Sequence, residues 1–384
     1  MRPFADRISQ IIPSASMAFA QKVIEKENSG RKIIDLTWGQ PDFDTPEHIK
    51  NAAWKAIQSG RNGYTTSAGI PELRTAIADF YNSRYQVSYN PQNEILVTPG
   101  AKQGLIYLMQ ALINPGDEVI LFEPCWLSYR DMILLNNGLP RFIPAGKELA
   151  PDLSGLEKTI NSKTKAILIN NPVNPSGYVF KKSELAHIAR IAERNDLYII
   201  SDEIYDRIVF TEFISLSEFK NLRDRLIIVN GFSKAYAMTG WRIGYLLGSE
   251  KVISKVSLIH QHTATCAAAP SQYAALAALK GSQDSVDTMV KTYKERRDLM
   301  INGLAGSSFS IVAPDGTFYA MLDVSTLGAR AGGNAENLLG RCGIASVDGI
   351  SYGKSAGNYV RLSLTKDKEQ LAEAIERLKK EEKL

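Results

Sequence analysis

Two stretches, LYIISDEIYDRIVF (residues 197–210) and LIIVNGFSKAYAMTGWRIGYLL (residues 226–247), decide how this chain is read. Each opens with a short, almost unbroken apolar run, the pattern of a strand covered on both faces of a sheet. Each run then ends in polar residues, Asp202 in the first case and Ser233-Lys234 in the second. Open α/β sheets bind ligands beyond the carboxyl ends of their strands, so chemistry is expected at those two ends.

Working outward, EILVT (94–98), EVILF (118–122), KAILI (165–169) and RIGYLL (242–247) also read as buried strands. Between them AKQGLIYLMQALI (101–113), WLSYRDMILL (126–135) and KSELAHIARIAERN (182–195) carry apolar residues at helical spacing. The alternation predicts an α/β fold around a mostly parallel sheet. Upstream, Thr45 before Pro46 predicts a helix start capped by the threonine and running to about Gly60, and Gly69-Ile-Pro-Glu72 starts another. Downstream, a long helix is expected over 285–304, strands in FSIVA (309–313), GTFYAMLDV (316–324) and NYVRLSL (358–364), and a charged helix from Lys368. The expected division is a large domain over 45–300 and a small one from 1–44 plus 301–384.

With 384 residues, 44% of them hydrophobic, the chain can bury a large core. A net charge of +4, free of long single-sign blocks, argues against nucleic acid as a partner. Cys125, Cys266 and Cys342 are odd in number and form no CxxC pair, which points away from disulfides and metal sites and toward a cytoplasmic protein. A proline interrupts the apolar residues 11–20, so this segment is read as part of the fold rather than a leader peptide. No apolar run approaches the roughly 20 residues a membrane helix needs.

The stretch after the second strand sets Lys234 among small and hydroxyl residues, with Arg242 eight positions on. A lysine held at a buried strand end needs a covalent or ionic partner, and an amine of lowered pKa attacks an aldehyde readily. Ser233 and Arg242 would offer a hydroxyl and a guanidinium to a phosphate. Asp202 can keep a pyridinium nitrogen protonated, turning the ring into an electron sink, and Tyr205 can reach its phenolic oxygen. Asn174, in the proline-rich loop Asn170-Asn-Pro-Val-Asn-Pro-Ser-Gly177, is a second candidate for that oxygen. Gly100-Ala101-Lys102 falls where a helix N-terminus could bind the phosphate.

These landmarks occur together with Leu36-Thr-Trp-Gly-Gln-Pro-Asp-Phe43, Tyr64, Trp126 and Tyr359-Val-Arg361. With them the chain resembles the class I/II aminotransferases of fold type I over essentially its whole length, and most of all the bacterial aspartate aminotransferases. The resemblance implies pyridoxal 5′-phosphate as cofactor, Lys234 as its Schiff-base lysine, and a mostly parallel seven-stranded central sheet beside a smaller α+β domain. It implies that Trp126 stacks on the cofactor ring and that Tyr64 reaches the phosphate of a neighbouring subunit in a homodimer. It further places Arg361 at the substrate α-carboxylate, with the Gly39 backbone beside it, and Lys102, Ser14 and Ser16 at a distal carboxylate. Trp38 and Gln40 depart from the smaller or acidic residues common in their segment, and Trp38 would narrow the substrate cavity.

The expected reaction is therefore ping-pong transfer of an α-amino group, from an aspartate-like or a broader range of amino acids, to a 2-oxo acid such as 2-oxoglutarate. The alternative on the same cofactor is elimination or cyclisation. A regulator joining this fold to a DNA-binding module would need an N-terminal extension and a basic patch, and neither is expected.

Overall fold

The computed structural model describes residues 4–13, 23, 25, 30, 32–328 and 333–382. Its strands, in chain order, are β1 Ile34–Asp35, β2 Ile95–Thr98, β3 Glu118–Phe122, β4 Leu139–Ile143, β5 Thr164–Asn170, β6 Tyr198–Asp202 and β7 Leu226–Gly231. They continue with β8 Gly244–Gly248, β9 Ser310–Val312, β10 Tyr319–Asp323, β11 Ile344–Ala345, β12 Val347–Asp348 and β13 Tyr359–Ser363. The longer helices are α1 Glu47–Gln58, α2 Pro71–Tyr85, α3 Ala101–Leu112, α4 Ser128–Leu135, α5 Lys182–Arg194 and α6 Glu250–Thr263, then α7 Ala269–Lys280, α8 Asp284–Leu304, α9 Asn334–Cys342 and α10 Lys368–Glu381.

Seven strands form the large sheet in the order β2-β8-β7-β6-β5-β3-β4. Only β8 runs antiparallel to its neighbours. Along β5 the side chains alternate, as a pleat requires. Ile167 and Ile169 pack with Leu73, Ile77, Leu185 and Ile188 from α2 and α5. Ala166 and Leu168 face the other way, onto Leu105, Leu108, Met132 and Val256 from α3, α4 and α6. A sheet covered on both faces follows from those near-continuous apolar runs. The strand missing from the sequence reading is β4, LPRFI, which lies at the sheet edge with most of its residues partly or fully exposed. Proline and arginine are tolerated there because one side of an edge strand needs no ladder partner.

The C-terminal sheet runs β12-β13-β10-β9, all antiparallel, and β1 pairs separately with β11. Its core collects Ile34, Leu36, Leu322, Val360 and Leu362 against Met300 of α8 and Leu371 of α10.

Two local readings change. Thr45 does not cap α1: its hydroxyl donates to the Ala237 carbonyl (2.7 Å) and accepts from Trp241 Nε1 (3.1 Å). That pair fastens the start of α1 to the loop after Lys234. RIGYLL begins its strand only at Gly244, because Arg242 takes a left-handed backbone, φ 50°. Gly244 itself lies so close to α3 that a Cβ there would sit 2.5 Å from the Ala101 nitrogen.

Candidate functional site

The carboxyl ends of β5, β6 and β7 open into a cavity of about 470 Å³ whose wall includes Asn170, Asp202 and Lys234. Residues from distant parts of the chain complete it: Trp38, Gly39 and Gln40 before α1, Ala101 and Lys102 at the start of α3, and Arg361 on β13.

Lys234 Nζ donates to the Gly39 carbonyl at 2.5 Å. Burial pulls its ammonium down to about 7, helped by the Arg361 and Arg242 guanidiniums and opposed by Asp202. At neutral pH a large share of this amine is therefore unprotonated. Asp202, buried at the end of β6, is pushed up to about 6 by desolvation. Two donors hold its charged form against that shift, the Tyr129 hydroxyl (2.6 Å) and the Ile204 N–H (3.2 Å).

Opposite, Arg361 is only 3% exposed. Its Nη2 donates to the Thr37 carbonyl (2.7 Å), its Nη1 reaches Asn174 Oδ1 (3.4 Å), and the guanidinium lies 4.3 Å from the centre of the Tyr319 ring. Its Nε, buried, has no hydrogen-bond partner. A buried cation with a donor to spare is a place for an anion.

A second place suited to an anion lies at the α3 N-terminus. No side chain caps that helix, so its first N–H groups remain for a ligand. The Arg242 guanidinium stands so near Gly100 that a Cβ on this glycine would be 2.6 Å from Nη2. Ser233 also lines the cavity. Lys102 Nζ lies 4.7 Å from the centre of the Trp126 ring, its pKa lowered by burial and by Arg242.

Of the residues singled out from the sequence, Trp38, Gly39, Ala101, Lys102, Trp126, Asn174, Asp202, Tyr205, Ser233, Lys234, Arg242 and Arg361 all line this one cavity. Gly100 sits behind Arg242, and Tyr64 is outside the cavity, 88% exposed. Ser14 and Ser16 lie outside the described residues. Three wall residues escaped the sequence reading. Asn170 donates to the Asp202 carbonyl and accepts from Asn174 N–H. Tyr319 accepts from the Tyr205 hydroxyl (3.3 Å). Tyr129 holds Asp202, yet in the amphipathic WLSYRDMILL it looks like any core aromatic.

The family model for aminotransferase class I and II matches residues 31–378. The aspartate aminotransferase of Thermotoga maritima is 40% identical over 375 residues, 97% of each chain. The aspartate/prephenate aminotransferase of Thermus thermophilus is 38% identical over 382 residues, 98% of each. Among solved structures, the aspartate aminotransferase from Thermus thermophilus with maleate superposes with a TM-score of 0.93 at 36% identity, covering 99% of this chain and 100% of that one. A lysine of low pKa facing a buried carboxylate, with a cationic helix N-terminus close by, suits an aldehyde-bearing pyridine phosphate, and the chain belongs to the class I and II aminotransferases, which are pyridoxal-phosphate enzymes.

Proposed function

We propose that this aminotransferase takes the α-amino group from an aspartate-like amino acid and delivers it to a 2-oxo acid such as 2-oxoglutarate, in the two half-reactions of a ping-pong cycle. The observation that carries this reading is the buried, incompletely paired Arg361 guanidinium in the same cavity as Lys234. Together they offer a carboxylate anchor and a neutral amine to one small amino acid. The dicarboxylate reading is supported by Lys102 in the wall, by the names of the Thermotoga and Thermus relatives, and by the maleate of the Thermus structure.

Bound pyridoxal 5′-phosphate would supply an electron sink that makes the substrate Cα–H acidic. Arg242, Ser233 and the first N–H groups of α3 would hold its phosphate. Asp202 would face its ring nitrogen, Trp126 would stack on the ring, and Asn174 and Tyr205 would approach the phenolic oxygen. Arg361 would bind the α-carboxylate beside the Gly39 backbone, leaving Lys102, with Ser14 and Ser16, for a distal carboxylate. Lys234 would act as the general base and acid that moves the substrate Cα proton.

Tyr64, exposed on one chain, would find its place at the phosphate of a second copy, making the enzyme a homodimer. We assign residues 45–300 to the cofactor-holding domain and 1–44 plus 301–384 to the small one, and place the protein in the cytoplasm. No helix among the described residues is long and apolar enough to cross a membrane. The test is to incubate the holoenzyme with aspartate and 2-oxoglutarate: the expected products are oxaloacetate and glutamate, whereas ammonia or an alkene would defeat the proposal.

A further inference from the structure

Residues 35–42 form a strap pinned at both ends, with Trp38, Gly39 and Gln40 in the cavity wall. At the far end Asp42 receives Nη1 (2.9 Å) and Nη2 (2.7 Å) of the buried Arg296. At the near end Asp35, the last residue of β1, accepts three hydrogen bonds. They come from Thr37 N–H (2.9 Å), Thr37 Oγ1 (2.6 Å) and Trp38 Nε1 (2.6 Å). Between the pins, the Thr37 carbonyl takes Arg361 and the Gly39 carbonyl takes Lys234.

Trp38 therefore stands between the backbone groups that hold the carboxylate anchor and the proton-transfer amine. It lines the cavity yet is 53% exposed. The only polar hydrogen of its side chain is already given to Asp35, so the indole has no hydrogen bond left to offer a substrate. What remains toward the cavity is an apolar aromatic surface in a fixed orientation. A flat ring stacked against such a surface removes apolar area from water and gains the favourable geometry of an aromatic pair.

Resting on the aminotransferase reading above, we propose that Trp38 is a specificity-determining wall favouring amino donors with an aromatic side chain, and that Asp35 is the positioning residue that sets it. Such donors are accepted in addition to acidic ones, because Lys102 stands in the same wall. Asp35→Asn separates the two duties of the carboxylate. Its amide oxygen can still accept from Thr37, but its NH₂ opposes Trp38 Nε1–H and cannot accept from it.

The experiment measures kcat/KM for phenylalanine and aspartate, with 2-oxoglutarate as acceptor, in the holoenzyme and in Trp38→Ala, Trp38→Phe, Asp35→Asn and the Asp35→Asn/Trp38→Phe double variant. Dissociation constants for 3-phenylpropionate and succinate, which bear no amino group to transfer, are measured by calorimetry on the same proteins. Trp38→Ala is expected to lower the phenylalanine-to-aspartate ratio about tenfold, mainly through KM, and the 3-phenylpropionate-to-succinate affinity ratio by a similar factor. Asp35→Asn should shift both ratios in the same direction, and should shift them no further once Trp38 is Phe.

Turnover of aspartate with none of phenylalanine in the starting enzyme would overturn this inference alone. So would unchanged ratios in Trp38→Ala, or an Asp35→Asn effect that persists in full in the Trp38→Phe background. Absence of transamination with every donor would instead defeat the aminotransferase reading, and this inference with it.

Discussion

The two sides of the cavity are built differently. On the large-sheet side, Asp202 and Lys234 follow directly from neighbouring parallel strands, β6 and β7, so the backbone ladder itself sets their spacing. On the opposite side, Arg361 is held by a carbonyl 324 residues away, and the Gly39 carbonyl meets Lys234 from 195 residues away. Neighbouring strands place the groups proposed to carry the chemistry, and long-range contacts hold the guanidinium proposed to meet the substrate. Damage on the first side should therefore fall on turnover, and damage on the second on substrate affinity.

The largest expected effect tests the first side. Lys234→Ala should lower kcat by about a thousandfold or more, since the proposed general base would be lost along with the proposed attachment point of the cofactor; near-normal turnover would break the assignment. Next, Arg361→Lys keeps the charge but loses the planar donor pair, and kcat/KM for aspartate should fall about a hundredfold, chiefly through KM. A fall in kcat with KM unchanged would erase the contrast between the two sides.

Tyr129→Phe removes a donor that favours charged Asp202, so the carboxyl should move above its value of about 6. About a tenfold loss in kcat is expected, with a pH profile displaced upward; an unmoved profile would show that the phenol does not matter to Asp202. The smallest effect is that of pH on the intact enzyme. Lys234 must be neutral to accept a proton, and its pKa lies at about 7, so activity should hold above that pH and fall as the amine gains its proton below it. An acid limb that survives replacement of both Arg361 and Arg242 at the same position would disconnect it from the guanidiniums that depress this lysine.

This asymmetry also governs what the sequence made legible. Buried parallel strands announce themselves as apolar runs, so β3, β5, β6 and β7 were visible, with Asp202 and Lys234 at or just beyond their ends. Edge strand β4 was hidden because its exposed positions need no apolar side chains. Tyr129 and Tyr319 were invisible as site residues because a tyrosine in an amphipathic element reports burial, not the direction of its hydroxyl. Arg361 by itself resembles a surface charge on a strand edge; only its resemblance to a known pattern singled it out, and only the fold carries it to Thr37. The Asp35–Trp38 bond lies within four residues, yet nothing in the spacing demands it.

Arg242 bears on any effort to make this protein sturdier. A non-glycine residue at φ 50° carries a backbone cost of order 1–3 kcal/mol, which glycine at the same position would avoid. A screen that rewarded heat resistance alone would thus welcome Arg242→Gly, and in doing so would discard the cation proposed to hold the phosphate. Selection schemes for hardier variants need a cofactor-retention step, or they will drift toward well-folded protein that no longer keeps its cofactor.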